Sequence, residues 1–290
     1  MTLSTTNTRP ATAAGTLELG GDLTVNRLGF GAMRITGDGV WGPPADRETA
    51  TSVLQRCLEL GVDCIDTADS YGPEVSEELI ADALAPYPDE LVIATKGGMR
   101  RDGPGKWRPD CRPEHLRDAC EGSLRRLRLD QIPLYQLHTV DPDVPLAESL
   151  GTLVELRDEG KIRHIGVSNV DVDQLSQALD ITPVVSVQNR YNVADRKSEP
   201  VLERCEAEGI AFIPWFPLAA GDMAKPGGPL HELARAHGAS PAQAALAWLL
   251  ARSPQMLPIP GTSSVAHLEE NLVAAELHLS AEDMAVLDAA

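Results

Sequence analysis

Four side chains able to hold or move a proton stand at the ends of three consecutive apolar runs. Ile65-Asp66-Thr67-Ala68-Asp69-Ser70-Tyr71-Gly72 follows one run, Leu91–Thr95 leads into Lys96, and Leu134–Leu137 leads into His138. If these runs are adjacent parallel strands, about 4.8 Å apart, Asp66, Lys96 and His138 converge and Tyr71 folds over them. A tyrosine with an ordinary pKa of about 10 is a reluctant acid at neutral pH. An ammonium beside it stabilises the phenolate, so Lys96 is expected to lower that pKa while Asp66 keeps the lysine charged and oriented. His138 can then hydrogen-bond a carbonyl oxygen held by Tyr71. Such a group could protonate an oxygen that becomes negative as hydride reaches its carbon. Singly, each residue has an ordinary role: a helix cap, a solvated cation, a satisfied buried imidazole, a rim aromatic. Their common position at neighbouring run ends carries the reading.

The elements that must position them alternate along the chain. Short apolar runs occur at Leu28–Met33, Cys64–Ile65, Leu91–Ala94, Ile132–Leu137, Ile162–Val167, Val184–Val187, Ala211–Pro214 and Met256–Ile259. Between and after them lie helical patterns at Arg47–Leu60, Glu74–Leu84, Pro113–Leu127, Leu146–Glu159, Asp171–Leu179, Ser198–Glu208, Pro241–Ala251 and Val265–Glu276. Eight strand–helix units predict an α/β fold of the (β/α)8 TIM-barrel type, whose active face is formed just after the strands. No G-x-G-x-x-G opens the first helix, so a dinucleotide-binding doubly wound sheet has no support. Thr16–Val25, around Gly20-Gly21-Asp22, reads as an N-terminal β-hairpin. Residues 1–15 read as a disordered tail and 16–290 as a single domain, with no linker inside it.

Composition narrows the partners. The chain has 290 residues and a net charge of −18, a surface that repels nucleic acid and anionic membranes. No apolar stretch is long enough to span a bilayer. Cys57, Cys64, Cys111, Cys120 and Cys205 form an odd set without C-x-x-C spacing. That pattern predicts neither disulfides nor a metal site and suits a cytoplasmic protein. Oligomeric state is not legible.

The motif Asp66-Thr-Ala-x-x-Tyr71-Gly, the strand-ending Lys96 and the Leu137-His138 pair resemble the catalytic tetrad of the aldo-keto reductases. The likeness runs in order over residues 16 to 290. It implies a nicotinamide-dependent oxidoreductase on a (β/α)8 barrel, with a small-molecule carbonyl substrate and no metal. Tyr71 would be the general acid, Lys96 and Asp66 would tune it, and His138 would orient the carbonyl. Gly160–Asn169 resembles the family's fifth-strand signature and Val187–Asn192 its sixth. By that likeness Ser168, Asn169 and Gln188 hold the nicotinamide carboxamide, and Trp215 stacks on the ring. Phe216, Pro217, Leu218 and Gly221 continue that wall. Gly31, Ala32 and Met33 would lie beneath the ribose. Ile259, Gly261, Thr262, Ser263, His267, Glu270 and Asn271 match the adenosine-phosphate region, where loop amides entering a helix suit a phosphate.

Two departures shape the expectations. Many family members carry lysine where Gly261 stands and arginine where His267 stands, both directed at the 2′-phosphate of NADP. The resemblance still implies NADP(H) in preference to NAD(H). The sequence ends soon after a short helical pattern at Ser280–Leu287, so the substrate pocket is expected to be open, with Trp41, Trp107 and Tyr191 as walls. Val40–Arg47 and Ile259–Leu268 look most like bacterial members that reduce pyridoxal to pyridoxine. Two other classes compete. One is a cofactor-binding regulatory barrel with little turnover, against which the complete tetrad argues. The other is a lyase or isomerase using a Lys96 Schiff base, which the adjacent tyrosine and nicotinamide-cleft residues disfavour.

Overall fold

Successive strand residues point to opposite sides, and this alternation sorts the molecule into an inner barrel and an outer layer. The computed structural model describes residues 9–218 and 221–289. Two antiparallel strands, β1 (Thr16–Leu19) and β2 (Leu23–Asn26), form the expected hairpin. The barrel strands are β3 (Phe30–Gly31), β4 (Cys64–Asp66) and β5 (Val92–Gly97), followed, after a second hairpin β6 (Met99–Gly103)/β7 (Lys106–Pro109), by β8 (Ile132–Leu137), β9 (Ile162–Ser168), β10 (Ser186–Arg190) and β11 (Ala211–Trp215). They pair in parallel in sequence order, β3-β4-β5-β8-β9-β10-β11. The fold is a (β/α)8 barrel.

Inside, Cys64, Val92, Ala94, Leu134, Ala211, Ile213, Leu257 and Ile259 pack on Leu17, Leu19 and Val25 of the hairpin, which plugs the lower end. Outside, the opposite strand faces pack against helices α1 (Arg47–Glu59), α2 (Val75–Leu84), α3 (Pro113–Leu127), α4 (Leu146–Asp158), α5 (Val172–Ile181), α6 (Glu199–Glu208), α7 (Pro229–Ala236), α8 (Pro241–Arg252), α9 (Val265–Val273) and α10 (Ala281–Asp288). Sequence-legible caps start several of these helices. Asp46 accepts from Thr49, while Asp171 with Gln174 and Ser240 with Gln243 form capping boxes.

The eighth run departs from expectation. Met256–Ile259 is extended but forms only one parallel bridge, Phe212 to Met256. Pro258 and Pro260 have no N–H to give a ladder. The ring closes instead through Leu257 N–H to Phe212 O at 2.8 Å on one side and Gly29 N–H to Pro258 O at 3.0 Å on the other. The first run also shrinks, from Leu28–Met33 to the two residues of β3.

The expected disordered tail needs correction as well. Pro10–Ala14 forms a 3-10 helix, and Ala11 is buried with Leu60 and Ala275 among its apolar neighbours. Residues 1–8 lie outside the described residues. The β6/β7 hairpin and α7 were missed entirely, although Asp102-Gly103-Pro104-Gly105 carries a turn pattern.

Candidate functional site

Period-two alternation brings Asp66, Lys96, Gln136 and Gln188 to the inside of the barrel near its upper end. Register pairs Lys96 with Gln136 across β5 and β8. Lys96 Nζ donates to Asp66 Oδ2 at 2.6 Å and to Thr67 O at 2.8 Å, and reaches Tyr71 Oη at 3.4 Å. Asp66 Oδ1 accepts from Gln136 Nε2 at 3.0 Å and from Gln188 Nε2 at 2.7 Å. The carboxylate is thereby held on both oxygens. Gly166 makes room for this: a side chain there would meet Ser186 Oγ at 2.3 Å and Gln136 Cγ at 2.9 Å.

Lys96 has no solvent exposure. Burial works against its charge, but Asp66 and Tyr71 outweigh burial and hold its pKa above the usual lysine value. Tyr71 does not follow the expectation from sequence. Burial raises its pKa and dominates; Lys96 lowers it only in part, and Asp66 opposes Lys96. The phenol therefore stays protonated at neutral pH. His138 is buried, and burial with the Lys96 and Arg101 charges pushes its pKa well down, so the imidazole is neutral. Its Nδ1 lies 3.4 Å from Ser70 Oγ, and its ring meets the Tyr71 ring edge-on at 5.9 Å. In the tautomer where Ser70 Oγ donates to Nδ1, Nε2 carries the ring proton.

A cavity of about 240 Å³ opens beside these groups, lined by Gly31, Met33, Asp66, Tyr71, Gln188, Trp215, Phe216, Pro217, Leu218, Ile259 and Gly261. Arg34, which sequence reasoning passed over, lines it too. Ser168 Oγ donates to Gln188 O at 2.7 Å, and Asn169 Nδ2 donates to His138 O at 3.0 Å. Trp215 Nε1 donates to Asn169 Oδ1 at 3.0 Å, so the Asn169 amide is engaged on both ends. Ala32 turns into the apolar core rather than the cavity. Gly221 begins a short 3-10 helix, Gly221–Ala224.

Beyond Gly261 the cleft leads to the start of α9. Thr262 is buried, Ser263 and His267 are exposed, Glu270 is half-buried and Asn271 is buried. Ser264 caps the helix through the His267 amide. The next amides, of Val265 and Ala266, belong to the first turn, where helices receive anions. A flat amide-bearing ring near Gln188 and a phosphate at α9 fit this donor set, which is what a nicotinamide dinucleotide requires. The site thus combines a protonated phenol at the cavity wall with a fixed ammonium and a neutral imidazole packed beside it.

Of the expected walls, Trp41 and Trp107 stand at the rim, each 36% exposed. Tyr191 does not. It lies one residue past β10 on the outer side, stacked on Trp248 at 5.7 Å and donating to Glu199 Oε2 at 2.5 Å. The alternation that turns Gln188 inward turns residue 191 outward. Two positioning residues had no sequence signature: Gln136, inside an apolar run, and Arg101, in the missed hairpin.

Comparison with known proteins agrees with this geometry. The sequence pattern of the aldo/keto reductase family matches residues 27–290. An uncharacterized oxidoreductase of Schizosaccharomyces pombe is 53% identical over 96% of this chain and 90% of its own. The pyridoxine 4-dehydrogenase of Escherichia coli is 45% identical over 92% and 96% of the two chains. The crystal structure of an aldo-keto reductase from Klebsiella pneumoniae in complex with NADPH superposes with a TM-score of 0.80 at 30% identity, covering 94% of each chain. With the barrel, the cavity and the buried Asp66–Lys96–Tyr71 cluster, these likenesses place the chain in the aldo/keto reductase family of oxidoreductases.

Proposed function

We propose that this protein is an NADP(H)-dependent reductase of aldehydes or ketones, with pyridoxal among its substrates and Tyr71 as proton donor. The observation that carries the reading is the Tyr71 hydroxyl, protonated and 3.4 Å from the buried Lys96 ammonium, at the wall of the cleft. Ser168, Asn169 and Gln188 would hold the carboxamide and Trp215 the ring face; Thr262, Ser263 and the α9 amides would take the phosphates. Bound there, the cofactor supplies a hydride to the carbonyl carbon. Tyr71 gives its proton to the carbonyl oxygen, and the phenolate left behind is stabilised by Lys96, which Asp66 keeps charged. His138 Nε2–H donates to the same oxygen and fixes its direction. Solvent returns the proton to Tyr71 after release.

The NADPH complex of the Klebsiella relative supports the cofactor, and the Escherichia coli relative supports the substrate. Among the described residues no helix is long and apolar enough to cross a membrane. The test is loss of dihydronicotinamide absorbance when the protein meets NADPH and a panel of carbonyl compounds led by pyridoxal and aromatic aldehydes. Consumption with pyridoxal, faster with NADPH than with NADH, is the expected result. No consumption with any carbonyl overturns the reading and favours a regulatory barrel.

A further inference from the structure

The β6/β7 hairpin is largely exposed and reaches the site through Trp107. Arg100, Lys106, Trp107 and Arg108 are exposed, and a two-stranded ribbon of this kind is marginal by itself. It carries Trp107, whose ring meets Tyr71 and His138 edge-on, at 6.2 Å in both cases. The other rim tryptophan, Trp41, comes from the loop after β3, far away in sequence. Backbone bonds link them in pairs, Gly105 N–H to Gly39 O at 3.0 Å and Gly72 N–H to Val40 O at 3.3 Å, and one side chain gathers all three.

Arg101 Nη1 donates to Val40 O at 2.6 Å and to Ser70 O at 2.9 Å, and Nη2 donates to Gly39 O at 2.8 Å and Gly103 O at 3.4 Å. Its Nε reaches Lys106 O at 3.3 Å. All five N–H groups of the guanidinium go to backbone carbonyls, drawn from the Trp41 loop, the Tyr71 loop and the hairpin itself. Its plane also lies over Trp107, at 3.7 Å from the ring centroid, and within 5.7 Å of Trp41. No arginine that served only as a surface charge would be spent this way.

We infer that Arg101 is a positioning residue that assembles the two-tryptophan wall and so makes the enzyme selective for flat aromatic carbonyl compounds. The inference rests on the reductase reading. Trp107 is held where a planar ring attached to a carbonyl between Tyr71 and His138 would meet it. A short aliphatic aldehyde reaches the same two groups without using the wall. Lysine is only a partial replacement, because three donors on one nitrogen cannot serve five carbonyls.

The experiment compares kcat and KM for benzaldehyde and propanal in wild type, Arg101→Met, Arg101→Lys and Trp107→Leu. Arg101→Met is expected to lower the benzaldehyde-to-propanal ratio of kcat/KM by about tenfold or more, the scale of one lost apolar wall. The loss appears mainly as raised KM for benzaldehyde. Trp107→Leu gives a similar loss, the double variant adds little to either, and Arg101→Lys recovers only part. NADPH affinity stays within about twofold of wild type, which also reports that the variants fold. A ratio unchanged in Arg101→Met, or equal losses for both aldehydes, overturns the inference. Hydrogen exchange supplies a readout that needs no turnover. It should quicken at residues 39–42 and 99–109 of Arg101→Met while β5 and β8 keep their protection; unchanged exchange there also overturns it. A wild type that consumes no NADPH with either aldehyde speaks against the reductase reading, while the exchange result still decides whether Arg101 holds the rim together.

Discussion

A side chain at position 261 would place its Cβ 2.5 Å from the carbonyl oxygen of Gly31, and one at position 31 would sit 2.7 Å from the carbonyl oxygen of Ile259. The two glycines let the start and the end of the barrel touch through bare backbone. Gly261→Ala should therefore cost about 1–3 kcal/mol, the range for forcing extra atoms into packed structure. Urea denaturation measures it; wild-type stability in the variant would contradict the close approach. For the same reason Gly261→Lys should not improve NADPH binding. The exposed His267 position is free to change, and His267→Arg should raise the NADPH-to-NADH affinity ratio about tenfold, the worth of one charged hydrogen bond.

Tyr71→Phe keeps the ring and removes the hydroxyl. Turnover should fall by about 10²-fold or more while NADPH still binds. Lys96→Met removes the charge that lowers the Tyr71 pKa, which burial already holds above the ordinary value. Alcohol oxidation needs the phenolate, so its pH profile should move to higher pH in this variant. An unmoved profile would separate Lys96 from the proton transfer.

Asp69, on the loop before Tyr71, is buried, and its Oδ1 has no hydrogen-bond partner. Burial, reinforced by Glu77, pushes its pKa up to about 8. The folded protein thus holds a proton there that the unfolded chain, near 3.9, has lost. The sign follows: this residue's contribution to stability declines as pH rises from about 4 to about 8 and levels off above that. Asp69→Asn should show a smaller decline than wild type across that window in denaturant titrations. Equal slopes would mean that Asp69 is charged in the folded protein.

Indole emission overlaps dihydronicotinamide absorption, so NADPH should quench protein fluorescence when it binds. Trp215 lines the cavity, whereas Trp248 is fully buried behind the barrel. Trp215→Leu should remove most of the quenching and weaken NADPH binding. Quenching that survives undiminished would place the ring face elsewhere.

How much was legible follows from what each residue's neighbours contribute. Asp66, Lys96 and His138 could be placed because each ends an apolar run, and strand spacing alone converts that into proximity. Ile132–Leu137 and Pro113–Leu127 matched to the residue, since one is a bounded apolar run and the other opens on proline. Tyr191 was misplaced: alternation counted from the inward-facing Gln188 turns position 191 to the outer side, against Trp248. The Tyr71 pKa went the other way because burial outweighs a single neighbouring charge, and burial is a property of the fold. Arg101 and Gln136 were invisible for a related reason. The bonds that tie them to the site reach groups 31 to 70 residues away, and nothing beside them in the chain marks those partners.

The joint between the last and first strand positions has a wider meaning. Among the described residues, Gly29 to Pro258 is its one backbone bond on the β3 side, where other neighbours in the ring share ladders. Gly31 and Met33 form one lip of the cavity and Ile259 and Gly261 the other. A hoop is weakest at its seam, and here the seam is also the doorway. Whatever lies across both lips acts as a clasp, so occupancy should tighten the whole hoop. At a hundredfold excess over its Kd such a clasp adds about 2.7 kcal/mol to the folded state.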